Sequence, residues 1–391
     1  MHRIIHALDY QALETAHTSG VYAKRPLTIV RGSGATLWDD TGRAYIDCAA
    51  GHGAANVGHC HPLVVAAIQA QAAELLTCQE AFFNDQRALL LKELAALLPA
   101  GLDRLFLCNS GAEAVEAALK FARATTRRSG IIAAMRGFHG RTFGALSATW
   151  ESHYREPFQP LVPEFTHVPY NNLEALAAAI SSDTAAVLLE VVQGEGGVRL
   201  GTRAFLQGAQ QLCREHGTLL LIDEVQTGFG RTGRWWACEH AELKPDMLIL
   251  AKSIAGGLPM GAVALGPRVG PLAAGIHGST FGGNPLTCAA ARATLAVIQA
   301  EHLPKQAASK GAWLVEQLRR LPQRRIREVR GLGLMIGIEL RERAAPYVQA
   351  LQERGMLALL AGPSVIRLLP PLVIDDEQLA TVVAALREVL Q

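Results

Sequence analysis

Between about residue 62 and residue 285, short runs of consecutive apolar residues alternate with stretches in which apolar positions recur at helical spacing. The runs are RLFLC (104–108), IIAAM (131–135), AAVLLEVV (185–192), TLLLI (218–222) and MLIL (247–250). Unbroken runs of this length fit strands buried on both faces, and their alternation with helices predicts a doubly wound α/β domain built on a parallel sheet. Pro62 marks a first helical turn, after which Val64, Ile68 and Leu75 fall on one face. Past residue 286 the pattern shifts to long helical stretches around LMIGIEL (334–340) and SVIRLL (364–369), which predicts a smaller α/β carboxy-terminal domain. Near the amino terminus, Asp39, Asp40, Thr41 and Gly42 form a turn between TLWD and AYID. That ribbon is expected to pack with the small domain. The expected division is residues 1–55, 56–285 and 286–391.

Composition narrows the choice of function. The chain has 391 residues, 50% hydrophobic and 18% charged, with a formal net charge of +2. So small a charge, thinly spread, argues against a nucleic-acid or membrane-surface partner and for a metabolite. The seven cysteines are odd in number and contain no C-x-x-C pair, which fits free thiols in a reducing compartment. The sequence MHRIIHALDYQALE lacks the features of a secretory signal, and no apolar stretch reaches the roughly 20 residues that cross a bilayer. A cytoplasmic location is expected.

Polar residues cluster directly after the apolar runs, where open α/β sheets place their ligand crevice. Asn109, Ser110, Gly111, Ala112 and Glu113 follow the first run. Ser110 and Glu113 read as a capping box, and glycine behind such a cap leaves amides free for a phosphate, although an ordinary capped helix reads the same way. Asp223 and Glu224 end another strand, where a carboxylate needs a cationic partner: a protonated pyridine nitrogen, an arginine or a metal. Of the seven lysines, only Lys252 follows an apolar strand and precedes small residues. A desolvated lysine there can form a Schiff base with an aldehyde, or it can simply reach out to solvent.

Two patterns invite other readings. Gly228, Gly230 and Gly233 match G-x-G-x-x-G, with Asp246 near the distance of a ribose-binding acid. Asp223 to Gln226 intervene after the strand and no amphipathic helix follows, so a dinucleotide is not expected. His59, Cys60 and His61 are potential metal ligands, but adjacent residues rarely chelate together and no second cluster completes a site; no metal is expected. Gly331 and Gly333 read as a bend before a strand.

Taken together, NSGAEA (109–114), GFHGRT (137–142), QGEGGV (193–198), DEVQTGFGRTG (223–233), LAKSIAGG (250–257) and HGSTFGGNP (277–285) resemble, in order and spacing, the class III aminotransferases over essentially the whole chain. The resemblance implies fold type I, the aspartate aminotransferase-like architecture, and pyridoxal 5'-phosphate as cofactor. Ser110, Gly111 and Ala112 would then receive the phosphate, and Phe138 and Val225 would flank the pyridine ring. Asp223 would pair with the ring nitrogen, Gln226 with the ring hydroxyl, and Lys252 would carry the cofactor and move the proton. It further implies a homodimer in which Thr280 reaches the neighbouring subunit's phosphate.

Within the class the chain is similar to acetylornithine aminotransferases and to the lysine-pathway group, whose substrates are linked to the amino-group carrier protein LysW. On that resemblance Arg141 and Ser279 would hold the substrate's α-carboxylate end, and Glu195 would pair with Arg367 until 2-oxoglutarate needs the arginine. SATWESHYREPFQPLV (147–162) and QEAFFND (79–85) depart from the acetylornithine form and incline the reading toward the lysine pathway. The implied reaction moves a terminal amino group between an N2-acylated lysine or ornithine and 2-oxoglutarate, giving a semialdehyde and glutamate. Acetylornithine as sole substrate, an aminomutase or decarboxylase on the same scaffold, and a non-enzymatic regulator remain as alternatives.

Overall fold

The computed structural model describes residues 8–391. In chain order, β1 (Ile29–Ser33), β2 (Thr36–Asp39) and β3 (Ala44–Asp47) form an amino-terminal ribbon. The central strands follow: β4 (Arg104–Cys108), β5 (Gly130–Ala134), β6 (Phe165–Val168), β7 (Thr184–Glu190), a short pair β8 (Val192–Gln193) and β9 (Arg199–Leu200), then β10 (Leu219–Asp223), β11 (Met247–Leu250) and β12 (Gly261–Leu265). The carboxy-terminal strands are β13 (Ile326–Leu332), β14 (Met335–Leu340), β15 (Met356–Leu357), β16 (Leu359–Leu360) and β17 (Val365–Leu368). Helices that matter below are α1 (Pro62–Glu74), α2 (Asp85–Leu97), α3 (Gly111–Thr126), α4 (Pro285–Ala300) and α5 (Leu303–Arg319).

The large sheet has the order β4-β12-β11-β10-β7-β5-β6. Its strands run parallel except β12, which pairs antiparallel with both β11 and β4. This corrects the wholly parallel expectation. GAVAL is short and made of small residues, so it gave no clear strand signal, and β6 was missed because FTHV is only half buried. The unbroken apolar runs have the anticipated cause. Leu219 and Leu221 of β10 join one buried cluster with α3, while Leu220 and Ile222 join the cluster on the other face.

Elsewhere, β3 pairs in parallel with β15, Met356 opposite Ile46, so the amino-terminal ribbon and the carboxy-terminal segment share one sheet. β13, β14, β17 and β16 make a second four-stranded sheet. Gly331 lies within β13 and only Gly333, at φ 55, occupies the turn, which corrects the reading of both as a bend. α1 starts at Pro62 as expected, but it ends at Glu74; Leu75 lies beyond it and is exposed, and Gln71 is buried in its place.

Candidate active site

Every polar segment singled out after a strand sits at the same end of the large sheet, because those strands are parallel. At the end of β4, Ser110 caps α3 by accepting from the Glu113 amide at 3.1 Å. The reciprocal bond differs from a capping box: the Glu113 carboxylate accepts from the amide and the side chain of Asn109, at 2.8 and 2.9 Å. The first intrahelical bond runs from Ala114 to the Ser110 carbonyl, so the Gly111 and Ala112 amides precede the ladder.

Those two residues line a cavity of about 200 Å³ with Phe138, His139 and Gly140 after β5, Glu190 at the end of β7, Glu195, Asp223, Val225, Gln226 and Lys252. Lys252 holds a left-handed backbone, φ 48, unusual for a residue other than glycine and a mark of a functional position. Burial lowers its amine from the usual lysine range; nearby Glu195 opposes the shift and Arg367 reinforces it. Asp223 is buried and accepts from the Val225 amide at 3.0 Å, while its other oxygen meets His139 Nδ1 at 2.8 Å. Burial disfavours a charged His139, but Asp223 and Glu190 outweigh it and raise the imidazole. His139 Nε2 has no partner among the described residues.

Glu195 meets Arg367 at 2.6 Å, and Arg367 also donates to Gln226 Oε1 at 3.2 Å. Burial would raise the Glu195 carboxyl, yet the arginine's charge and hydrogen bond bring it below its usual range. Arg367 is fully buried, and its Nε and second terminal nitrogen lack partners among the described residues.

Three anticipated residues stand outside the cavity. Arg141 is exposed and stacks 3.8 Å over the Tyr154 ring and 5.7 Å from that of Phe138. Ser279 accepts from the Asn109 side chain at 3.0 Å, which ties it to the start of α3. Thr280 is exposed. Conversely, His139 and Glu190 line the cavity although sequence reasoning gave them no role. A wider cavity of about 400 Å³ adjoins the first through Phe138 and Glu195 and is lined also by Arg136, Glu151, His153 and Tyr154.

Of the other patterns, His59 meets Asp47 at 2.7 Å and His61 meets Glu301 at 3.2 Å. Among the described residues no three metal-ligating side chains gather. The glycines at 228, 230 and 233 lie in consecutive turns with no helix after them.

A lysine poised to carry a carbonyl group, placed among sheet ends that also offer open amides and a buried aspartate, defines a class of enzyme that works through a bound aldehyde cofactor. The chain belongs to the class III aminotransferases: residues 18–390 match the family Aminotransferase class-III. It is 52% identical over 383 residues, 97% of this chain and 89% of the other, to the [LysW]-aminoadipate semialdehyde transaminase of Deinococcus radiodurans. To the acetylornithine aminotransferase of Methanosarcina acetivorans it is 46% identical, covering 96% of this chain and 94% of that one. Among solved structures, the ornithine aminotransferase of Toxoplasma gondii superposes with a TM-score of 0.93 at 36% identity, over 97% of this chain and 94% of that one. Another structure of the Toxoplasma enzyme is described with pyridoxal phosphate at partial occupancy in its active site. This protein is a pyridoxal-phosphate aminotransferase.

The cavity fits that cofactor. A Cβ on Gly111 would sit 3.0 Å from Val225, and one on Gly140 would sit 2.9 Å from the Ala112 Cβ, so the glycines leave a cradle that any side chain would fill. The open amides suit a phosphate and buried Asp223 suits a cationic nitrogen.

Proposed function

We propose that this aminotransferase moves the terminal amino group of an N2-acylated lysine or ornithine, with 2-oxoglutarate and glutamate as the second pair, and that the carrier-linked lysine compound is its preferred substrate. The observation that supports two substrates in one pocket is the Glu195–Arg367 pair. Arg367 is immobilised by burial, whereas the Glu195 side chain is 26% exposed, so the acid is the member free to move. While the pair is closed, the arginine presents no charge to an uncharged substrate tail. When Glu195 withdraws, the unpartnered nitrogens of Arg367 are available to a dicarboxylate, which a guanidinium grips with two parallel hydrogen bonds.

When bound, pyridoxal phosphate supplies the electron sink for proton removal at the amine-bearing carbon. Gly111 and Ala112 would receive the phosphate, with Ser110 fixing the helix start; Phe138 and Val225 would enclose the ring, Asp223 would keep its nitrogen protonated, and Gln226 would meet its hydroxyl. Lys252 carries the cofactor through its amine and afterwards moves the proton. Its lowered affinity for a proton suits both tasks. The wider cavity beside Phe138 is the space offered to the acyl end, with Arg141 and Ser279 toward the α-carboxylate.

The 52% identity with a transaminase named for a LysW-linked substrate supports the carrier-linked choice. A homodimer belongs to this reading, since exposed Thr280 has no place in its own chain's cavity. So do the division at residues 55 and 285 and a cytoplasmic setting. No helix of the described residues is long and apolar enough to cross a membrane.

The test is glutamate formation by the purified holoenzyme with LysW-linked lysine and with acetylornithine, assayed in parallel. Preference for the carrier-linked compound supports the proposal, and preference for acetylornithine replaces it with arginine biosynthesis. Lys252→Ala should lose the cofactor's bound absorbance and all turnover; a variant that retained both would exclude Lys252 from its role.

A further inference from the structure

Glu190 ends β7 directly beside Asp223, its register partner on β10. It is 7% exposed, and among the described residues it has no ion-pair partner. A carboxylate at that depth is costly unless both oxygens are satisfied. Here backbone amides satisfy them: Phe138 donates to Oε1 and Gly194 to Oε2, each at 3.0 Å. The Tyr170 hydroxyl donates to the Glu190 carbonyl at 2.7 Å and holds the strand end in place. The two amides belong to separate segments. One is the loop after β5 that carries Phe138 and His139, and the other is the turn between β8 and β9 that carries Glu195.

A side chain that accepts on two oxygens from two donors must be an ionised acid. Glutamine has one acceptor only, and a protonated acid turns one oxygen into a donor facing an N–H. We propose that Glu190 is a positioning residue, a carboxylate clamp that sets the ring-facing Phe138 loop and the Glu195 turn in one fixed relation and releases part of that hold when it takes up a proton. The proposal rests on the roles given above to Phe138 and Glu195.

Burial pushes the Glu190 carboxyl up to about 7; Asp223 adds to the shift, while His139 and the two amides oppose it. The titratable groups around it are His139 from the loop after β5, Tyr170 after β6, Asp223 on β10 and Lys252 after β11. Above about 7 the acid is ionised and both hydrogen bonds stand. Below that point the protonated form forfeits one of them.

Hydrogen exchange of the holoenzyme, read by mass spectrometry one pH unit either side of about 7 and corrected for intrinsic rates, tests the clamp without any substrate. The peptides containing Phe138 and Gly194 should lose protection together on the acid side, by roughly ten-fold, as the loss of one hydrogen bond to a charged group implies. Glu190→Gln should show that weaker protection at both pH values. Its KM for 2-oxoglutarate should rise by a similar factor and lose its pH dependence, with kcat less affected. Unchanged protection of the two peptides across the range in the wild type, or a Glu190→Gln protein with wild-type exchange, overturns the proposal. Should the variant not fold, the wild-type titration decides alone. An enzyme that refused 2-oxoglutarate would instead count against the substrate reading and leave the exchange result intact.

Discussion

Arg367 and Gln226 show how tightly single residues are fitted around the cavity. A Cβ added at Gly194 would lie 2.0 Å from Gln226 Oε1 and 2.8 Å from its Cδ, so Gly194→Ala must displace the side chain that accepts from Arg367. The substitution should weaken both the cofactor's hold and the arginine's placement, by about 1–3 kcal/mol as overpacking typically does. Cofactor release during dialysis, followed by absorbance, should be faster than in the wild type; an unchanged release rate would show that Gln226 contributes nothing to retention. At this scale the site was largely legible, because a polar residue that follows a buried strand stands out. Asp223, Gln226 and Lys252 all have that form. Glu190 did not stand out: it lies inside the run AAVLLEVV and looks like part of a strand, and only the fold reveals that β7 ends on it. His139 was hidden for a related reason, since its partner Asp223 lies 84 residues away along the chain.

At the scale of elements, strands with unbroken apolar runs were legible because burial on both faces leaves no room for polar residues. β13 was not, since Arg327, Glu328 and Arg330 break its pattern; Arg330 is buried but bonded to Glu339 at 2.6 Å, a compensation no local pattern shows. The contact between α5 and the β13–β14 hairpin is another fact of packing alone. A Cβ on Gly311 would sit 2.0 Å from the Gly333 carbonyl oxygen, which is backbone and cannot swing aside. Gly333 is itself fixed at positive φ. Gly311→Ala should therefore lower the melting temperature by several degrees, the effect of about 2–3 kcal/mol of overpacking in a chain of this size. Since α5 lies away from the cavity, the cofactor absorbance at low temperature should survive. Calorimetry showing unaltered melting would mean that the helix shifts at no cost.

For the whole molecule, the exposed surface poses the main question. Phe82, Phe83, Ile276 and Phe281 are exposed large apolar residues, Phe83 completely so, and Thr280 lies between the last two. A groove of about 730 Å³ bounded by α1, α2 and α4 adds to the unpartnered area. Scattered exposed apolar residues are ordinary, but a set flanking a residue expected to bind the cofactor phosphate has a single economical explanation: a second copy covers it and receives Thr280 in its own cavity. Two variants separate this arrangement from a self-contained monomer. Lys252→Ala lacks the cofactor-bearing amine, and a Thr280 variant weakened in cofactor binding lacks the group supplied in trans. When the two are mixed and their subunits allowed to exchange, each mixed dimer unites an intact Lys252 with an intact Thr280 at one of its sites. Activity above the sum of the separate proteins is the expected result. No gain after demonstrated exchange would place Thr280 in service of its own chain and remove the reason for assigning active sites to the interface.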